Sequence, residues 1–282
     1  MRALAMGDEG ALRAWIANES ATRLAEARRD ARAAFARLEA LGGRVVSLAA
    51  PEYPPGLREL ADPPAFLCVR GALPRAPWRA GTAIVGTRTP GDAARAAARA
   101  LGASAPGPIV SGLALGIDAA AHEGALAAGT PTIAYVGTGL GVTYPPEHAD
   151  LEERIVAAGG AILSESIPGE PVTRWSLVRR DRLQAAHAAA LVLVQSEADG
   201  GAMHAVTAAR KLDRPRFAFE PQLGDAAAGD ATAGDATAGV GYAGNALALA
   251  DGAVALPWDL VRAAARLREQ PAITNSIRDG ER

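Results

Sequence analysis

The residues best placed to do chemistry are glycines and small hydroxyl residues, set in three turns that each follow a short apolar run. These stretches read Ile84-Val-Gly-Thr-Arg88, Val110-Ser-Gly-Leu-Ala-Leu-Gly-Ile-Asp118 and Val136-Gly-Thr-Gly-Leu-Gly141. Glycine after a strand lets the backbone approach a phosphate closely. The helix that follows offers unpaired amides and the positive end of its dipole. Each turn alone is ordinary in an α/β protein. As a set they predict a pocket for a phosphate-bearing ligand, built from Gly86, Thr87 and Arg88, from Ser111, Gly112, Leu113, Ala114 and Gly116, and from Gly137 and Gly139. No standard nucleotide signature is present. A phosphate-binding Gly-Lys-Ser/Thr loop needs a lysine, and the single lysine is distant at Lys211. Gly137-Thr-Gly139 does not continue as a dinucleotide fingerprint, because Val142 stands where the third glycine is required.

Catalytic chemistry finds little support. The four histidines, His122, His148, His187 and His204, lack metal-ligand spacing, and one cysteine, Cys68, excludes an internal disulfide or a multi-cysteine zinc site. His122, on an alanine-rich helix, reads as a buried hydrogen-bonding residue, and Asp118 as a group that caps or orients its turn. No nucleophile, general base or metal cluster emerges, so the reading is of a binder without cofactor or metal.

Positive charge gathers in two places. Arg174, Arg179, Arg180 and Arg182 stand with one acid, Asp181, and Trp175 lies beside them as a stacking face. Arg210, Lys211, Arg214 and Arg216 stand with Asp213. Residues 217–261 carry acids and no base, so the formal net charge of −2 averages over a segregated chain. That average excludes a uniformly basic coat protein but leaves room for a basic groove. A solvated helix end is the plainer explanation of either cluster, and arginine counts for less in a chain that barely uses lysine.

The elements that must position these groups follow from periodicity. Apolar runs at Thr82–Arg88, Pro108–Leu113, Thr132–Gly139, Ala161–Ser166, Ala189–Gln195, Arg216–Phe219 and Ala253–Leu256 predict strands. Helical segments are predicted near Gly91–Leu101, Ile117–Ala128, Glu147–Ala158, Arg179–Ala186, Met203–Leu212 and Trp258–Glu269. The alternation predicts an α/β fold: a Rossmann-like parallel sheet with helices on both faces. In such a sheet, ligands bind beyond the carboxyl ends of the strands. Residues 1–49 read as a small N-terminal helical region with a break at Asn18-Glu-Ser20, and 50–80 as a proline-rich connector. Residues 81–257 form the main domain, with a flexible low-complexity loop at 222–240, and 258–282 a C-terminal helix and fraying tail. No apolar run reaches the roughly 18–20 residues of a membrane span. The N-terminus carries no secretory signal, so a soluble cytoplasmic protein is expected.

These stretches resemble the DNA-processing protein A (DprA/Smf) family. The resemblance rests on Tyr53-Pro-Pro-Gly-Leu57 with Asp62-Pro-Pro64, Ile84-Val-Gly-Thr-Arg88 and the long Val110–Leu126 block. Gly137-Thr-Gly139, Tyr144-Pro-Pro-Glu147, Ser164-Glu165 and Gly244-Asn245 with Asp251-Gly252 complete it. It implies an extended Rossmann-like fold that binds single-stranded DNA, forms a homodimer and loads the RecA recombinase during natural transformation. The family's Phe-Pro-x-Arg-Asn-Arg motif stands here as Leu177-Val-Arg-Arg-Asp-Arg182, which places Arg179, Arg180 and Arg182 at the DNA and an acid, Asp181, in place of asparagine. Gly200 and Gly201 match a later glycine-containing stretch. The competing reading is a nucleotide-binding or nucleoside-monophosphate-hydrolysing protein on the same scaffold. Asp199-Gly-Gly-Ala-Met-His204 lacks the proline and catalytic glutamate of that motif.

Overall fold

The computed structural model describes residues 17, 19–73, 81–222 and 241–269. Its strands are β1 (Gly43–Ser47), β2 (Phe66–Gly71), β3 (Thr82–Val85), β4 (Ile109–Ser111), β5 (Thr132–Tyr135), β6 (Ala161–Ser164), β7 (Ala190–Leu193), β8 (Arg216–Phe219) and β9 (Val254–Leu256). They form one sheet in the order β1-β2-β6-β5-β4-β3-β7-β8-β9. The strands from β6 to β9 in that order pair in parallel, while β1 pairs with β2, and β2 with β6, antiparallel.

The helices are α1 (Ala21–Ala40), α2 (Asp92–Ser104), α3 (Ile117–Ala127), α4 (Ala149–Ala157), α5 (Arg174–His187), α6 (Ala202–Lys211), α7 (Ala243–Ala250) and α8 (Leu260–Arg268). Side chains alternate across the strands, so each strand feeds two cores. Ile84, Ile109 and Val192 pack with Leu101, Ile117 and Leu267 of α2, α3 and α8. Ala134 and Ile162 continue that face against Leu38 of α1 and Leu151 and Ile155 of α4. Val85, Val110, Tyr135 and Leu193 face the other way, onto Leu183 of α5, Val206 of α6 and Ala248 of α7. At the α2–α3 crossing, a β-carbon on Gly102 would collide with the carbonyl oxygen of Ala121, and one on Gly124 with that of Arg99. Both positions must be bare for the two helices to lie this close.

Helix starts follow their caps. Ser20 accepts from Arg23 N at 3.3 Å and opens α1, where the break at Asn18-Glu-Ser20 was expected. Thr173 and Ser176 bond reciprocally at 2.9 and 3.0 Å, starting α5 at Arg174, five residues before the expected Arg179. Asp259 accepts from Val261 N and Arg262 N, both at 3.1 Å, and opens α8.

Three features go beyond the sequence reading. The sheet is mixed, because β1 and β2 add to it at the β6 edge from segments read as a helical region and a connector. Prolines and glycines bracket both strands and hide their short apolar pattern. The connector is also part of the core. Tyr53 is buried and donates to Pro64 O at 2.8 Å, and a 3-10 turn at Pro55–Glu59 buries Leu57 against the α5 face. Finally, α7 was not anticipated, as its Ala/Gly-rich sequence carries little periodic signal. The expected loop at 222–240, apart from Gln222, the tail after Pro271, and residues 1–16 and 18 lie outside the described residues.

Candidate functional site

Strand order reverses at β3: the chain passes from β3 through β4 and β5 to β6 on one side, then returns to β7 on the other. The turns after β3 and β7 therefore diverge to opposite faces and leave a crevice between them, the usual ligand position in such sheets. A cavity of about 640 Å³ opens there. That lies within the range of small-molecule pockets, roughly 300–1,000 Å³. Its walls are Gly86-Thr87-Arg88 after β3, Ala114 and Asp118 at the start of α3, Ser196, Glu197 and Asp199 to Ala202 after β7, and the face of α5 bearing Arg174, Leu177, Arg180, Asp181 and Gln184.

Arg180 is the centre of the site. It is only 4% exposed, and its Nε and Nη1 are buried without a hydrogen-bond partner. Unsatisfied guanidinium donors in a buried position are costly. Two carboxylates stand near: Asp118 Oδ2 at 3.8 Å from Nη1 and Asp181 Oδ1 at 3.3 Å from Nε. Asp118 also orders the turn after β4, accepting from Gly112 N at 3.1 Å and Ala114 N at 3.3 Å. Burial pushes its carboxyl upward, against the opposing pull of Arg180 and these amides. The Asp181 carboxyl is pushed up to about 7, chiefly by burial, with Asp118 adding to the rise and Arg180 and Arg88 opposing it.

The glycine turns serve different ends. Gly86 lies in the cavity wall, and a β-carbon there would meet Ile117 Cγ1 at 2.6 Å. Thr87 N donates to Gln195 O at 2.8 Å, tying the β3 turn to the end of β7. Gly116, at φ +79°, passes under the Thr87 and Arg88 carbonyls and permits that contact. Gly201 is open above its α-carbon and, with Gly200, precedes α6, which has no side-chain cap. Ser111, Gly112 and Leu113 do not line the main cavity. Ser111 Oγ donates to Ile84 O at 2.7 Å, Leu113 is buried at φ +59°, and Gly112 backs the Arg180 guanidinium. Gly137 and Gly139 are packing positions: a β-carbon on Gly137 would meet Leu177 Cδ2 at 2.9 Å, and one on Gly139 the Ile167 carbonyl oxygen.

The arginines divide as well. Arg182 is a structural clamp: it donates to both Glu165 oxygens at 2.9 and 3.0 Å and, through Nε, to Asp62 at 3.2 Å. Arg179 lies 3.2 Å from Glu165 and stacks over exposed Trp175, 4.8 Å from the ring centroid. Arg88 and Arg174 are exposed at the cavity rim and make no ion pair among the described residues. In the second cluster, Arg210 and Arg216 bind Asp251 and Arg214 binds Glu59, so those side chains join α6 and β8 to neighbouring segments. The expected basic groove thus contracts to Arg88, Arg174 and Arg180, with Glu197 and Asp199 on the opposite lip.

With this geometry in view, comparison with known proteins is decisive. Residues 44–239 match the family DNA recombination-mediator protein A. The chain belongs to that family. Among family relatives, protein Smf of Synechocystis is 38% identical over 175 residues, covering 60% of this chain and 44% of that protein. DNA processing protein DprA of Streptococcus pneumoniae is 33% identical over 169 residues, 59% of this chain and 58% of that one. The chain therefore spans about half the length of these relatives. Of solved structures, the DNA processing protein A of S. pneumoniae superposes with a TM-score of 0.67 at 26% identity, covering 81% of this chain and 74% of that one. The Helicobacter pylori protein, described for its single-stranded DNA binding mode, gives 0.64 at 24% identity, covering 80% and 95%, and shares the fold. The Rossmann-like core is thus that of the recombination-mediator family.

Sequence reasoning missed the roles of two residues that support the site. Gln195 Oε1 accepts from Gly91 N at 3.0 Å at the start of α2. Asn245 is fully buried, accepting from Ser196 N at 2.9 Å and donating to Val194 O and Phe219 O at 3.0 and 3.1 Å. It thereby fixes the turn after β7 that carries Ser196 and Gly200. Gly244-Asn245 stood among the matched motifs, but no local pattern assigns it a role.

Among the described residues no helix is long and apolar enough to cross a membrane, and no cluster of His, Cys, Asp and Glu is placed to hold a metal ion.

Proposed function

We propose that this protein binds single-stranded DNA, seating a backbone phosphate at Arg180 while the strand crosses the rim at Arg88 and Arg174. The carrying observation is the pair of buried Arg180 donors that make no hydrogen bond, at the crevice between β3 and β7. The α6 N-terminus at Gly201, which no side chain caps, turns the positive end of its dipole toward the same wall, favourable to an anion. Exposed Trp175 beside Arg179 offers a base-stacking surface of the kind single-strand binders use. Family membership and the single-stranded DNA bound by the H. pylori protein support this choice of ligand. The role that follows is binding rather than catalysis: protecting single strands during DNA uptake and recombination and passing them to the RecA recombinase, as a cytoplasmic homodimer.

The test is fluorescence anisotropy of a labelled oligo-dT over a range of salt. Affinity should fall linearly with the logarithm of salt concentration, because phosphate neutralisation releases counterions. Arg180→Ala and Arg88→Ala should weaken binding, Arg180→Ala by more than about tenfold. Absence of binding at low ionic strength would remove the reading.

A further inference from the structure

The deep end of the cavity holds one guanidinium between two carboxylates, an excess of negative charge where an anion is to sit. Asp118 is held in place by the backbone, since its Oδ2 accepts the amides of Gly112 and Ala114, which oppose the upward push of burial on its carboxyl. Asp181 is held differently. Its side chain is 14% exposed, and its oxygen accepts one neutral donor, Gln184 Nε2, at 3.2 Å. That oxygen is also 3.3 Å from Arg180 Nε, one of the two donors that make no hydrogen bond. An ionised Asp181 therefore competes with any phosphate for the same guanidinium and repels it.

We propose that the Arg180 subsite takes up a phosphodiester together with one proton from solvent, carried by Asp181. The proton neutralises the competing carboxylate and gives it an O–H that donates to a non-bridging phosphate oxygen, so no covalent bond changes. This rests on reading the cavity as a phosphodiester site. The surroundings of Asp181 are consistent with it. Arg180 and Gln184 on its own helix, Arg88 from the β3 turn and Asp118 from α3 act on it directly, and Arg174, Glu197, Asp199 and His204 line the same cavity. In the free protein burial already lifts its carboxyl to about 7, so the proton is available near neutrality. An arriving phosphate raises proton affinity further.

The experiment uses the full chain, a labelled oligo-dT and constant ionic strength from pH 5.5 to 8.5. Wild-type affinity should hold steady below about pH 7 and fall by up to about tenfold per pH unit above it, the signature of one linked proton. Asp181→Asn, of the same shape and permanently neutral, should flatten that profile and bind at least about tenfold more tightly than wild type at pH 8.5. Calorimetry of wild type at pH 8 in buffers of differing ionisation enthalpy should show uptake of close to one proton per site, which decides the matter even if the variant fails to fold. Oligo-dT binding that is flat with pH, or a pH dependence unchanged in Asp181→Asn, overturns this inference alone. No binding at any pH overturns the phosphodiester site and this inference with it.

Discussion

Arg180 lays its guanidinium against the bare α-carbon of Gly112, where Nη1 fills the space a β-carbon would need. The arginine comes from α5, on one face of the sheet, and the glycine from the turn leaving β4. Their contact fixes where the buried guanidinium donors point. A methyl group should therefore act on the site as strongly as loss of the charge. Gly112→Ala is expected to displace Arg180 and weaken oligo-dT binding at least about tenfold, with near-native circular dichroism, since repacking absorbs a single methyl at a cost of about 1–3 kcal/mol. Anisotropy titration beside Arg180→Ala checks this, and wild-type affinity in Gly112→Ala would show that the contact is incidental.

Arg182, two positions along the same helix, should behave in the opposite way. It joins α5 to Glu165 after β6 and to Asp62 beside the β2 edge. Truncation leaves the Glu165 carboxylate, only 9% exposed, with Arg179 as its one remaining basic partner among the described residues. Arg182→Ala should lower stability by about 3 kcal/mol, toward the low end for breaking a buried pair. Urea unfolding measures that loss. Oligo-dT affinity at a temperature where the variant is folded should change less than about threefold, because this arginine does not line the cavity.

Buried histidines and Asp181 set opposing pH slopes on stability. His122 Nδ1 bonds Thr132 Oγ1, which itself donates to Ile109 O, and His187 bonds the Tyr135 hydroxyl. Burial pushes both imidazoles down to about 3. Between about pH 3 and 6.5 the unfolded chain binds protons at these histidines and the folded protein does not, so stability is lost on acidification. Asp181 acts oppositely, because its raised value of about 7 makes the folded protein bind the extra proton above about pH 4. Asp181→Asn should therefore steepen the rise of stability with pH between about 4.5 and 6 by close to one proton, or about 1.4 kcal/mol per pH unit. Denaturant unfolding across that window tests it, and parallel wild-type and variant profiles would contradict the assignment.

Much of this architecture was legible from periodicity. The strands from β3 onward and their crossover helices, α7 excepted, are long enough to show alternating or helical patterns, and the ends of β3, β4 and β5 coincide with the glycine turns. The β1–β2 edge was hidden because its apolar residues number few and sit among prolines. For the candidate site, pattern alone did not separate Gly86, which lines the cavity, from Gly139, which admits the Ile167 backbone. Nor did it sort the arginines. Whether Arg182 is free depends on Asp62, 120 positions away in the chain, and a basic cluster carries no trace of acids that only folding brings to it.

The bare crossings at Gly102 and Gly124 have a consequence for how this scaffold can diversify. With α2 and α3 in backbone contact and alanines filling the layer between them and the sheet, that half of the molecule has no slack for larger side chains. The cavity is walled differently, since α5 and the rim residues Arg88, Arg174 and Gly201 border it with exposed side chains or open space. Change can therefore accumulate at that rim, while the α2–α3 crossing stays an inflexible chassis.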